Sequence, residues 1–168
     1  MLQEPPVRVD KDMGRIGGRA RGQHGAAPEP ALQLGPHSRL LVVAPHPDDE
    51  TIGAGELIQQ VRAAGGDVRV LLLTDGDNNP WPQRWLERRL RVGAADRQRW
   101  GRRRREEVGA ALARLGPGAG VLRGLGWPDL GVTGRLCEDY DRALGTIVRV
   151  VRSAAPNLVA MPALGDRH

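Results

Sequence analysis

Arg39-Leu40-Leu41-Val42-Val43-Ala44-Pro45-His46-Pro47-Asp48-Asp49-Glu50 decides how the rest of this chain is read. The apolar run Leu40 to Ala44 shows no polar alternation and reads as a strand buried on both faces. It empties directly into one imidazole and three carboxylates, a combination suited to a metal and not to packing. A catalytic zinc site usually takes three protein ligands and leaves one position for water. Pro45 and Pro47 restrict the backbone, so His46 and Asp49 can be held converging at little further entropic cost. Asp48 lies between them, free to handle a proton. The kit is hydrolase-like.

Working outward, residues 1–36 are rich in Gly, Pro, Arg and Ala and carry no apolar periodicity. They read as a disordered or loosely tethered arm before a domain over residues 37–168. Arg39 to Ala44 is expected as a strand, and Thr51 to Ala64 as a helix. That helix would turn Ile52, Leu57, Ile58 and Val61 inward and stop at Gly65-Gly66. Asp67 to Thr74 reads as a second buried strand. Helices are expected over about 83–90 and 96–115, the second closed by Gly116-Pro117-Gly118. A short strand at Val121-Leu122, a helix over Asp139 to Ser153 and a strand over Asn157 to Met161 complete the pattern.

Strands alternating with helices mean an α/β fold with a Rossmann-like parallel sheet flanked by helices. In such sheets ligands bind beyond the carboxyl ends of the strands. The candidate chemistry lies there. His46, Asp48 and Asp49 follow the first strand, Asp75 and Asp77 the second, and His168 the last. His37 precedes the first strand at the opposite end and reads as a surface histidine.

The hexapeptide Pro45-His46-Pro47-Asp48-Asp49-Glu50 resembles the signature of the PIG-L/LmbE-like family of zinc-dependent N-acetylglucosamine deacetylases. The likeness continues through Thr74-Asp75-Gly76-Asp77, Arg104-x-x-Glu107, Trp127-Pro128-Asp129 and Met161-Pro162…Gly165-Asp166-Arg167-His168. It spans about residues 39 to 168. The resemblance implies Zn2+, or another divalent metal, on His46 and Asp49, with Asp48 as general base. It places Arg104 in the cleft against the substrate, and it implies that Asp77 and Asp129 meet sugar hydroxyls. His168 matches the first histidine of a His-x-x-His motif, where it would assist the leaving group or oxyanion. The third metal ligand would follow three positions later. The chain is therefore expected to look truncated against the family, to bind zinc weakly and to turn over poorly. The reaction implied is removal of an N-acetyl group from a small-molecule or lipid-linked amino sugar. The alternative is a non-catalytic remnant or sugar-binding module of the same fold.

Each residue also has a plainer role. Glu50 reads best as an anion at a helix N-terminus, Asp48 suits a turn, and Asp129 suits a Pro-Asp turn. Arg104 shares a helical stripe with Val108, Ala111 and Leu115, and an arginine on a buried stripe needs a partner. Glu107, one turn along, is the structural alternative to the cleft.

Composition bounds the remaining classes. The single cysteine, Cys137, excludes an intramolecular disulfide. No apolar run approaches the roughly 20 residues that span a bilayer, and no signal-peptide core is present, so a cytoplasmic protein is expected. The pI near 10.8 invites a nucleic-acid reading. Only Lys11 among 25 basic residues is lysine, however, and residues 84–105 hold ten of the arginines. Trp85 and Trp100 alone interleave with that run, too few for a stacking platform. A solvated face is the plain reading, and peripheral contact with an anionic surface or substrate is the alternative. A nucleotide-binding Rossmann domain would need Gly-x-Gly-x-x-Gly after the first strand, which is absent.

Overall fold

The computed structural model describes residues 32–163 and 165. The chain divides between Leu32 and Gln33, and the account below concerns the unit that begins at Gln33. The arm expected through residue 36 falls, up to residue 31, outside the described residues, as does His168. Leu34 packs against the core of the sheet domain.

Strand β1 (Arg39–Ala44) and strand β2 (Asp67–Thr74) form as their apolar runs require. They pair in parallel, Arg39 opposite Asp67 and Ala44 opposite Leu72. Strand β3 (Leu122–Trp127) adds to β2 and strand β4 (Leu158–Ala160) to β1, giving a four-stranded parallel sheet of order β3-β2-β1-β4. The α/β expectation holds.

Between β1 and β2 the single helix expected over 51–64 is two: α1 (Asp49–Ile52) and α2 (Gly55–Ala63). The Asp48 carbonyl accepts from the amides of Thr51 and Ile52, so the loop fixes the direction of α1. Gly53 and Ala54 then change course, with glycine lowering helix propensity at the break. Ile52 consequently faces solvent, whereas Ile58 and Val61 are buried as expected.

Helix α3 (Pro80–Glu87) starts three residues earlier than the sequence pattern suggested, because the Asn79 side chain accepts from the Trp81 amide and Pro80 occupies the first turn. Helix α4 (Ala94–Leu115) ends on a left-handed Gly116, φ 107°. A 3-10 turn at Ala119–Val121 precedes β3, which is longer than the Val121-Leu122 strand expected. Pairing with β2 draws Gly124 and Gly126 into the strand despite their weak propensity, with an irregularity opposite Leu72 and Thr74. Helix α5 (Val132–Glu138) was not legible in the sequence. Asp139 ends it and starts helix α6 (Tyr140–Ala154), its carboxylate accepting from the Arg142 amide at 3.1 Å.

One face of the sheet packs Leu40, Val42, Val68 and Val70 against Ile58 and Val61 of α2 and Val108 and Leu112 of α4. Leu41 and Leu71, of opposite pleat, are equally buried on the other face. With both faces covered, the chemistry-bearing loops can emerge only at the ends of the strands.

Candidate active site

Loop 45–50 is tied down before any ligand is considered. The Pro45 carbonyl accepts from both the amide and the hydroxyl of Thr74, at 3.0 and 2.8 Å, locking the exit of β1 to the end of β2. The Asp49 carboxylate accepts from the His46 amide at 2.8 Å. Glu50 does more than favour a helix dipole. It is 1% exposed, accepting from the Asp48 amide at 3.1 Å and the Thr51 hydroxyl at 2.7 Å. These bonds hold Asp48 at φ 132°, a region disfavoured for a residue with a β-carbon.

Arg104 reaches the loop from α4. Its guanidinium donates to the Pro47 carbonyl, to Asp48 Oδ2 at 3.1 Å and to Glu107 Oε2 at 2.6 Å. The two readings of this arginine therefore meet in one side chain: it pairs with Glu107 and also enters the cleft. Burial raises the Glu107 carboxyl, but hydrogen bonds from Arg104 and Arg103 outweigh it and hold the group below the usual range.

The remaining loops converge from β2 and β3. Asp77 Oδ1 accepts from the Asp129 amide at 3.0 Å, and the Asn78 side chain donates to the Asp129 carbonyl at 3.2 Å. Asp129, 6% exposed, sets Oδ1 3.1 Å from His46 Nε2. The other ring nitrogen, Nδ1, lies 3.4 Å from Asp49 Oδ2. His46 thus stands between two carboxylates. His46, Asp48, Trp81, Trp100, Arg104 and Asp129 all border one cavity of about 680 Å³.

The sequence places Asp75 with the candidate chemistry after β2 but assigns it no role, and Gln83 goes unnoticed as a site-shaping residue. Burial pushes the Asp75 carboxyl up, Arg105 at 3.4 Å works against that, and Asp77 adds to it. Gln83 is fully buried, donating to Glu87 and to the Asp96 carbonyl at 3.1 and 2.9 Å, and so joins α3 to α4. A polar residue facing inward on a short helix was its only signal. The arginine run also resolves into separate tasks. Arg99 bridges Glu87 and Asp96 at 2.6 and 3.0 Å, Arg103 pairs with Glu107, and Arg105 with Asp75.

The donors fit a metal in part. Two ligands on one tetrahedral ion, at bonds of about 2.0–2.2 Å, lie roughly 3.4 Å apart, which is the spacing of His46 Nδ1 and Asp49 Oδ2. Asp129 on the opposite nitrogen is the arrangement that orients a ligating histidine. Among the described residues no group of three His, Cys, Asp or Glu side chains is placed to hold a metal ion.

Against known families, residues 41–168 match the pattern described as PIG-L: GlcNAc-PI de-N-acetylase. This chain belongs to the PIG-L family. Similar proteins include the 1D-myo-inositol 2-acetamido-2-deoxy-alpha-D-glucopyranoside deacetylase of Mycobacterium avium (strain 104). It is 39% identical over 143 residues, covering 77% of this chain and 46% of the relative. Proteins of the same name match from Rhodococcus opacus (36%, covering 72% of this chain and 44% of the relative) and Gordonia bronchialis (35%, covering 71% and 47%). This PIG-L chain spans somewhat under half the length of these relatives. Among its described residues no helix is long and apolar enough to cross a membrane.

Proposed function

We propose that this PIG-L chain carries the water-activating part of an N-deacetylase site acting on a 2-acetamido-2-deoxyglucoside. The relatives' printed substrate, a 2-acetamido-2-deoxyglucoside of myo-inositol, is the first compound to test, and a lipid-linked N-acetylated amino sugar is the second. One observation supports the reading above the others: His46, Asp48, Arg104 and Asp129 share a single cavity at the carboxyl edge of the sheet.

His46 and Asp49 would hold the divalent metal, zinc in the first instance. A bound metal of this kind supplies Lewis acidity toward a carbonyl oxygen and acidifies water. Asp48, exposed to the cavity, takes a proton from water as the new C–O bond forms at the acetamido carbon. The C–N bond then breaks, the proton passes to the amine, and acetate and the free amino sugar leave. His168 is the further candidate for that second proton transfer. Arg104 holds Asp48 in place through its charge-assisted hydrogen bond to Oδ2. Asp129 fixes the ring of His46, while Asp77 and Asn78 hold Asp129 and border the sugar.

The test is acetate and free-amine release from the GlcNAc-inositol substrate with added zinc, beside Asp48→Asn. A positioned base contributes about 10²–10⁴-fold, so the variant should lose at least two orders of magnitude in kcat with substrate binding kept. Saturable sugar binding by the unmodified chain with no turnover would instead establish a binding module. The presence of only two close metal donors among the described residues makes that the outcome to exclude.

A further inference from the structure

Helix α3 and the three residues after it expose an apolar surface of unusual composition. Trp81 is 73% exposed, Trp85 85%, Leu86 57% and Leu90 92%. Trp81 and Trp85 recur at helical spacing on one stripe, Gln83 and Glu87 occupy another, and Arg88 follows as the left-handed cap of the helix. Gln83 is buried and clamps the helix to α4, so the outward stripe is presented on a fixed support.

The charge beside it has one sign. Glu87, the acidic residue of this segment, is committed to Arg99 and faces Arg89, itself bonded to Asp96 at 2.8 Å. Among the described residues no carboxylate lies within ion-pairing distance of Arg84, Arg88 or Arg91. Arg84 stacks over the Trp81 ring, 5.4 Å from its centroid, so cation and aromatic act together.

We propose that the surface of Trp81, Trp85, Leu86 and Leu90, with Arg84, Arg88 and Arg91, docks this protein on an anionic lipid surface. Tryptophan combines an apolar body with a polar N–H and settles at the level of lipid headgroups, where arginine meets phosphate and carboxylate. A helix of eight residues is about 12 Å long. That is short for the roughly 800 Å² per partner of a stable protein interface, yet enough for a few side chains to insert separately. Position gives the contact a use. Trp81 and Leu86 also border the cavity that holds His46 and Asp48. Docking through this face would bring the mouth of the cleft to the headgroup layer, where an amphiphilic glycoconjugate could enter sideways.

The readout is binding, so it stands apart from the deacetylase assignment. The full 168-residue chain is floated with vesicles of phosphatidylcholine alone or mixed with phosphatidylserine, beside the variant Trp85→Ser/Leu90→Ser, whose two positions do not border the cavity. The unmodified chain should partition onto the mixed vesicles with a blue-shifted tryptophan emission. Partitioning should fall about tenfold on phosphatidylcholine alone or at raised salt, and about tenfold in the variant, with an unchanged circular dichroism spectrum. No partitioning of the unmodified chain onto mixed vesicles, or equal partitioning of the variant, overturns the proposal. So does self-association abolished by the same substitutions without vesicle binding, which would assign the face to a second copy of the chain.

Discussion

Asp48→Gly and Asp48→Ala both delete the proposed base, and their stabilities should differ in an unusual order. At an ordinary position glycine is the less stable of the two by about 0.5–1 kcal/mol, because it loses more freedom on folding. Asp48 stands at φ 132°, held there by buried Glu50 and by Arg104 on the preceding carbonyl. A β-carbon in such a region costs about 1–3 kcal/mol, and alanine keeps that cost whereas glycine sheds it. The half-exposed ion pair to Arg104 is lost equally in both variants and cancels. The net expectation is Asp48→Gly more stable than Asp48→Ala by about 1 kcal/mol, or about 4 °C in Tm for a domain of this size. Urea unfolding followed by circular dichroism measures the difference directly, with deacetylation assayed in parallel and lost in both. Alanine equal to or above glycine would refute the claim that the loop stores strain at this residue.

Three further outcomes follow from the same geometry. Asp129→Ala should weaken zinc binding about 10–100-fold, measured by chelator competition, because the carboxylate opposite the His46 nitrogen proposed to ligate the metal is gone. Glu87→Gln should lower stability above pH 4.5 and leave it unchanged well below that. The hydrogen bond from Arg99 chiefly depresses the Glu87 carboxyl, so its contribution is present above its ordinary value of 4.5 and vanishes as pH falls through the folded one; denaturation across pH 3 to 7 checks the sign. Gly101→Ala should cost about 1–3 kcal/mol and reduce turnover, since its new β-carbon would stand 3.0 Å from Asp75 Cβ and 3.2 Å from Asp77 Cβ. Thermal melts and kcat read the two effects separately.

Strands β1 and β2 were legible because burial on both faces leaves an unbroken apolar run at the centre of each, Leu40 to Ala44 and Val70 to Leu73, although Arg39, Asp67 and Arg69 at their starts are exposed. Strand β3 was not, because Arg123, Gly124 and Gly126 enter it through pairing with β2, and pairing partners distant in sequence leave no local mark. The 51–64 segment hid its break because Gly53 lowers helix propensity without interrupting the apolar period. The hydrogen-bonded loop that sets the direction of α1 leaves no mark within that period. In the site, the helical period put Arg104 on the right stripe, but not its bonds to Asp48 and the Pro47 carbonyl. The contact between Asp129 and His46 joins residues 83 positions apart. Only the fold closes that distance.

Helix α4 bears on which changes the chain can survive. Gly101 fits beneath Asp75 and Asp77, Arg104 and Arg105 reach two different loops, and Val108 and Leu112 fill the core. All depend on one angular setting. A single inserted or deleted residue turns everything beyond it by about 100°, misaligning cleft and core together. Length variation among descendants of this sequence should therefore collect in the Gly116–Gly120 turn and be purged between Gly101 and Leu112. Substitutions there act singly, but a frame of reference is inherited whole.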